Sequence, residues 1–383
     1  MPRLMFVTGS LRYGGAERHS ITLQNRLAER GHECHAVYVK SGAEQLDRMR
    51  RRDGATVLCL DAARYFDVAA LRRFARHIGR VGPDAIVAAN PYALMYAALA
   101  LRLSRQRAAL AVTFHSSRLL GVKEQLQMLA YRLLFWSADC AVFVCENQRR
   151  YWMRRVVFAR RNEVIYNGVD TDEFDDRRPA GEGARLRAAL GLRESDYVIG
   201  ISAVLRPEKN HVQLVDAIAW LRARGIPARA LIIGDGPMRP AVEARARARG
   251  VGNEVLICGF KHDVRPYVAA CDVIVLCSLT EAFSLAALEA MALGRPVVHA
   301  AVGGAAEMIL PGRNGYLFPA GDTGALAGKL ALLAGRAVSR SMGINARNAA
   351  LAHFSEKTMV DRYEQVLLEL CGKPSRREAA AAG

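Results

Sequence analysis

Three loops of this 383-residue chain carry residues whose types and spacing suit a phosphate-bearing, hydroxyl-rich ligand. In the first, Thr8-Gly9-Ser10-Leu11-Arg12-Tyr13-Gly14-Gly15-Ala16-Glu17, two adjacent glycines precede a helical pattern. The backbone can approach a ligand there, and the helix N-terminus offers N–H groups to an anion. The loop is not GxGxxG, which weakens a simple nicotinamide-dinucleotide reading. Alone, Gly14 and Gly15 read equally as a turn pair. In the second loop, Leu205-Arg206-Pro207-Glu208-Lys209-Asn210, a guanidinium fork and a mobile ammonium stand three positions apart. They suit a diphosphate, or else they are solvated loop charges. The third runs from Thr280 to Val297, with Glu281 in a loop, a helix beginning near Ser284, and Glu289 on its second turn among Leu285, Leu288 and Met291. A carboxylate beside an apolar stripe needs partners, and paired ribose hydroxyls would serve. The N–H groups of Phe283, Ser284 and Leu285 at the helix start could meet sugar hydroxyls or phosphate. The alternative is an N-capping acid and a surface glutamate.

Short apolar strands must position these loops. Patterns at 4–8, 34–39, 56–60, 85–89, 109–114 and 140–144 alternate with helical segments, the first over 16–30. The logic repeats at 198–203, 230–233, 255–258, 273–276, 297–299 and 316–318, with helices over 212–224, 238–249, 264–270, 284–293 and 322–335. Such alternation predicts α/β architecture with parallel sheets covered on both faces, and ligands beyond the carboxyl ends of the strands. The length fits two domains. The expected division is 1–175, an acceptor-side Rossmann-like domain, and 176–355, a nucleotide-binding one, joined at a polar hinge over 170–183. A helix over 356–372, apolar at Met359, Val360, Tyr363, Val366, Leu367 and Leu370, should pack elsewhere, with the first domain the natural candidate. Residues 373–383 read as a disordered tail.

The chain carries a formal charge of +17. Residues 1–175 hold 27 Lys and Arg against 17 Asp and Glu, which leaves 27 against 20 in the remainder. An excess spread over both halves argues against a nucleic-acid arm and favours phosphate ligands or an anionic membrane face, or simply a solvated arginine-rich surface. The eight cysteines form no CxxC pair and lie largely in apolar strands, so buried free thiols are expected, not zinc or disulfides. The start lacks the apolar run of a signal peptide, and no stretch reaches the roughly 20 apolar residues of a spanning helix. The expected location is the cytoplasm, with the inner face of the cytoplasmic membrane as the place of any lipid contact.

Taken together, these motifs resemble glycosyltransferase family four, retaining enzymes with the GT-B fold of two Rossmann-like domains facing a central cleft. The likeness runs from Gly14-Gly15-Ala16-Glu17 through Asn167-Gly168-Val169-Asp170, Arg206-Pro207-Glu208-Lys209-Asn210, Gly234-Asp235-Gly236-Pro237, Gly259-Phe260, and Glu281 with Glu289 to Gly303-Gly304 and Asn314-Gly315-Tyr316. The resemblance implies a hexosyltransferase-type enzyme acting on a nucleotide-sugar donor and a glycan or lipid-linked acceptor, in polysaccharide, lipopolysaccharide or glycolipid synthesis. It places Gly14 and Gly15 at donor phosphate or acceptor, His115 near the donor sugar, and Arg206 with Lys209 on the diphosphate. Glu281 falls at the reaction centre, Glu289 on the ribose, and Phe260 with Lys261 beside the base. Two positions depart from the family pattern. Val204 stands where an arginine is frequent, and Ser116 and Ser117 follow His115 where an aspartate is frequent.

The resemblance also implies retention by a front-face path, with closure about the hinge. Cationic groups and backbone N–H would stabilise the departing diphosphate with no cofactor and no metal. Asp170 and Asp172 have the spacing of a metal-binding acid pair, but they belong to the hinge motif and suit a structural role. Two rivals stay open: a nucleotide-sugar 2-epimerase of GT-B type, and a non-enzymatic protein that binds anions or membranes. Finally, 119–151 mixes Lys123, Arg132, Arg149 and Arg150 with Leu126, Met128, Leu129, Tyr131, Leu133, Leu134, Phe135 and Trp136, and Trp152 lies just beyond it. It could be core, or it could dock on anionic lipid.

Overall fold

The computed structural model describes residues 1–50, 54–115, 122–175 and 181–372, with the side chains of 122–125 excepted. The expected tail, Ser116 and Ser117, the Lys123 side chain and part of the hinge at 176–180 lie outside the described residues. The chain forms two compact units, residues 1–167 with 357–383 and residues 168–356. The division thus falls ahead of the 175/176 boundary read from the sequence.

The first unit contains β1 (Arg3–Thr8), α1 (Gly15–Glu29), β2 (Glu33–Tyr38), β3 (Val57–Cys59), α2 (Val68–Val81), β4 (Ala85–Ala89) and α3 (Asn90–Ser104). It continues with β5 (Ala109–Phe114), α4 (Val122–Ser137), β6 (Cys140–Phe143), α5 (Glu146–Met153) and β7 (Arg161–Val164). The seven strands are parallel in the order β3-β2-β1-β4-β5-β6-β7. Strands such as Ala85-Ile-Val-Ala-Ala89 are buried throughout, as a sheet covered on both faces requires. The edge strand β7, Arg161-Asn-Glu-Val164, lacks that apolar signature and was not expected from sequence. Its charges suit an edge.

In the second unit come α6 (Glu182–Ala189), β8 (Tyr197–Ser202), α7 (His211–Arg222), β9 (Ala228–Ile233), α8 (Arg239–Ala248), β10 (Val255–Gly259), α9 (Arg265–Ala269) and β11 (Val273–Leu276). Then follow α10 (Leu285–Ala292), β12 (Val297–Ala300), α11 (Ala305–Met308), β13 (Gly315–Phe318), α12 (Thr323–Leu332) and α13 (Arg336–His353). Six parallel strands run in the order β10-β9-β8-β11-β12-β13. Helix α13 was also missed in the sequence, because serines and Gly343 interrupt its apolar pattern. Gly343 is there for close packing, since a Cβ would strike the backbone of Gly294 at the end of α10.

A last helix, α14 (Glu356–Leu370), belongs from Lys357 onward to the first unit. Its Met359, Val360, Tyr363, Val366 and Leu367 pack with Leu4, Phe6, Leu23, Leu27 and Val87 on one face of the seven-stranded sheet. Burying side chains of this kind stabilises the fold by about 1.5–3 kcal/mol each. Buried Glu364 accepts from Arg30 at 2.6 Å and meets Nε2 of His32 at 2.7 Å, which fixes the helix against the end of α1. All eight cysteines are free. Among the described residues no helix is long and apolar enough to cross a membrane.

Candidate active site

Both sheets reverse strand order at one point, between β1 and β4 in the first unit and between β8 and β11 in the second. Loops leaving the strand ends at such a point splay apart and form a natural ligand crevice. The loops singled out in the sequence leave these strands.

In the second unit, β8 ends at Ser202 and leads to Arg206 and a single 3-10 turn over Pro207–Lys209. This turn is held from two sides. Leu205 donates its N–H to the carbonyl of Asp235 at 3.0 Å, and the N–H of Leu279 donates to the carbonyl of Glu208 at 2.8 Å. The Gly234-Asp235-Gly236 loop can lie this close because neither glycine carries a side chain. Gly236 has φ 156, and a Cβ on it would strike the backbone of Leu205.

The loop after β11 carries Ser278 and Glu281 towards this turn. Lys209 Nζ donates to Oε2 of Glu281 at 2.5 Å, and Ser278 Oγ donates to the same oxygen at 3.3 Å. Both members of the ion pair are mostly buried, so their contact is little screened. His299, buried at the end of β12, feels the Glu281 charge. Burial lowers the His299 pKa, and Glu281 works against that shift. The Nδ1 of His299 lies 2.7 Å from the carbonyl of Ala300. A carbonyl can only accept, so Nδ1 carries the proton. Gly303 supports the Glu281 loop from behind, at φ +55, with the carbonyls of Glu281 and Ala282 where a Cβ would stand.

Arg206 is exposed, and among the described residues no ion pair engages its guanidinium. Ser284 caps α10 by accepting from the N–H of Ala287 at 3.3 Å. Leu285 opens the helix, and Glu289 on its second turn is buried. Phe283 points into the core, with its ring centroid 5.5 Å from that of Phe354, so only its backbone can serve a ligand. Phe260 is half-exposed at the end of β10 against His262, and the ammonium of Lys261 lies 5.2 Å from the ring centroid of Tyr267. Lys209 and Glu281 are therefore in direct contact. Arg206, Phe260, Lys261, Ser284, Leu285 and Glu289 stand on loops and a helix at the carboxyl end of the same sheet.

In the first unit, Gly14 is the N-cap of α1, and a Cβ there would collide with the carboxylate of Glu17. Gly15 meets nothing within 4 Å. His115 follows β5, and its N–H donates at 2.9 Å to Oδ1 of Asn90, a residue held at φ 71. Its ring packs edge-on against His19, with centroids 4.7 Å apart, and His19 packs in turn on Tyr363 at 5.4 Å. Burial drives the pKa of His115 down to about 4 and that of His19 well below the ordinary range, so both rings are neutral at physiological pH. His19, Asn90, Ser278 and His299 were not singled out in the sequence. For Asn90, Ser278 and His299 the available signal was a polar residue at or beside the end of a buried strand, as in Val-Val-His299-Ala, whereas His19 lies within α1 and carries no such signal.

Asp170 Oδ1 accepts from the N–H groups of Asp172 and Glu173 at 3.0 and 2.9 Å, closing a turn. Among the described residues no group of three or more His, Cys, Asp or Glu is placed to hold a metal ion.

Comparison with known proteins agrees with this architecture. Residues 13–173 match the model of Glycosyltransferase Family 4, and residues 184–349 match that of Glycosyl transferases group 1. The chain is 27% identical over 368 residues to N-acetyl-alpha-D-glucosaminyl L-malate synthase of Bacillus anthracis, covering 93% of this chain and 94% of that one. It is 28% identical over 387 residues to a GDP-mannose-dependent alpha-(1-6)-phosphatidylinositol monomannoside mannosyltransferase of Mycolicibacterium smegmatis, covering 97% of each. The crystal structure of Anabaena HepE in complex with UDP-glucose superposes with a TM-score of 0.84 at 22% identity, over 96% of this chain and 100% of that one. With its two matched halves and its paired parallel sheets, the chain belongs to the group 1 glycosyltransferases of GT-B fold and is an enzyme of that class.

Proposed function

We propose that this enzyme transfers a hexose from a nucleotide-diphosphate donor to a glycan or lipid-linked acceptor, with retention at the anomeric carbon and without a metal ion. The observation that carries the proposal is the Lys209–Glu281 ion pair at the point where strand order reverses in the second sheet. As the sugar–phosphate bond breaks, negative charge grows on the diphosphate. Arg206 and the Lys209 ammonium supply positive charge for it, and oriented cations that need no rearrangement lower such a barrier. Glu281 holds Lys209 in place and sets a carboxylate where positive charge grows at the anomeric carbon. Glu289, buried in α10, binds the ribose hydroxyls, and Phe260 with Lys261 borders the base. In the first unit, neutral His115 offers a hydrogen bond to the donor sugar, while Gly14 and Gly15 leave room for phosphate or acceptor.

The relatives' names support nucleotide-sugar donors, and one of them names a phosphatidylinositol-based acceptor. Surface polysaccharide, lipopolysaccharide or glycolipid synthesis is the setting that fits. Transferases among the named relatives do not favour the 2-epimerase reading. A thermal-shift screen of nucleotide sugars, followed by single-turnover transfer with the stabilising donor, tests the proposal. Wild-type transfer rates in both Lys209→Ala and Glu281→Ala would refute it, and so would conversion of UDP-GlcNAc without an acceptor.

A further inference from the structure

Helix α4 breaks the usual rule for a helix lying on a sheet. Its inner face is apolar, with Met128 and Phe135 buried in the core. Its outer face is apolar too: Leu126 is 62% exposed, Leu129 50%, Leu133 65% and Trp136 43%. These four recur at i, i+3, i+7 and i+10, which makes one stripe on the side away from the sheet. An outward stripe of this kind is what a soluble surface ordinarily avoids. Of the apolar residues read in this segment, Trp152 belongs to the core and the four on the stripe do not.

The stripe continues into the loop between α5 and β7. The rings of Trp136 and Phe158 pack with centroids 6.2 Å apart. Met153, Val156 and Phe158 on that loop are each about two-fifths exposed. Val156 has φ +61, a conformation that a β-branched residue adopts only at a cost. The strained backbone presents an apolar side chain to solvent where glycine or asparagine would be easier, and strain of this sort marks a function.

The same stretch of chain is rich in exposed cations. Residues 126–160 hold six arginines against two carboxylates. Arg150, Arg154, Arg155 and Arg160 are exposed. The two carboxylates, Glu146 and Asp139, already lie beside Arg149 and Arg160. The guanidinium of Arg155 stacks on Tyr151, 3.7 Å from the ring centroid, which leaves its edge to solvent. An apolar stripe bordered by arginines complements the interface of a bilayer with anionic headgroups, where aliphatic and indole groups sit at the acyl boundary and cations meet phosphate.

We propose that the outer face of α4 and the Met153–Arg160 loop dock this enzyme on an anionic lipid bilayer surface. This holds whatever sugar is transferred. Trp136 and Phe158 lie at the level of the headgroups, Leu126, Leu129 and Leu133 enter the acyl boundary, and the arginines fix the orientation.

The test uses the full chain with vesicles of phosphatidylcholine, alone or doped with phosphatidylglycerol. Sedimentation is expected with the doped vesicles and to fade as salt is raised. Leu129→Ser with Leu133→Ser should weaken partitioning roughly tenfold or more. Arg154→Glu with Arg155→Glu should erase the preference for the anionic vesicles. Val156→Asn gives a reading that a merely structural role would not: it should raise Tm by relieving strain yet lower vesicle binding. If the double serine variant fails to melt cooperatively, Trp136→Ser and Val156→Asn carry the same expectation singly. Equal pelleting on both vesicle types, or unchanged pelleting of the leucine variants, overturns the proposal. A lipid-free dimer that dissociates in the leucine variants also overturns it, in favour of an interface between two copies of the chain.

Discussion

Lys209 and Glu281 are 72 positions apart in the chain, yet their charged atoms lie 2.5 Å from one another. Each arrives on a loop from an adjacent strand, β8 or β11, so the register of two central strands sets their separation. The pair links folding to the proposed chemistry, because neither charge is placed correctly without the other.

That coupling can be measured. Lys209→Met and Glu281→Gln should each lower the single-turnover transfer rate by roughly 10²–10³-fold. The double variant should lose much less than the product of the two, with a coupling energy of about 0.5–3 kcal/mol. Strict additivity would show that the two residues act independently.

Gly303→Ala should be costly, because the residue sits at φ +55 with the carbonyls of Glu281 and Ala282 in the way. We expect a loss of about 1–3 kcal/mol in denaturant unfolding, from backbone strain and from displacement of the loop. Transfer should fall as well, since the displaced residue is Glu281. Gly328→Ala, within α12 and outside the proposed site, is the control, because nothing lies within 4 Å of its added methyl.

Acid should destabilise the protein through its buried histidines. His115 and His211 are both lowered to about 4 by burial, from an ordinary value of 6.5. Between these values the unfolded chain binds protons that the folded chain does not, so stability falls as pH drops. The contribution is complete above about pH 6.5 and is lost on the way down to pH 4, at roughly 1–3 kcal/mol for each histidine. The urea midpoint should decline over that window. His211→Gln should flatten the slope, and a midpoint independent of pH from 7 to 4 would contradict this account.

Tyr363→Ala should loosen the first unit alone. The side chain is buried among residues of that unit, and truncating a large buried aromatic costs about 3–5 kcal/mol. Hydrogen exchange should quicken in β1 and β4 while β8 and β9 stay protected. Equal loss in both units would mean that they unfold together.

Much of this was legible in the sequence because buried parallel strands announce themselves. Ala85–Ala89 and Val273–Leu276 are unbroken apolar runs, and the loops after such strands carry the candidate residues. What escaped notice has physical reasons. The β7 edge strand is polar because one side of an edge faces water. The glycine in α13 reads as a breaker until the Gly294 backbone is seen beside it. The ring contact of His19 with His115 joins a helix to a strand end, and no local pattern encodes that contact. The sequence assigns Phe283 only a backbone N–H towards a ligand, and its ring, turned inward to Phe354, leaves that backbone as the available part.

The return of α14 to the first unit constrains the order of events at the ribosome. Residues 168–356 are continuous and can complete their own sheet as soon as they emerge. The earlier-made strands β1 to β7 must wait, with Leu4, Phe6 and Val87 covered only in part by Leu23 and Leu27 of α1, until Met359 to Leu367 have been synthesised. A nascent chain therefore exposes its oldest sheet longest, and the half made first is the half that most needs a chaperone.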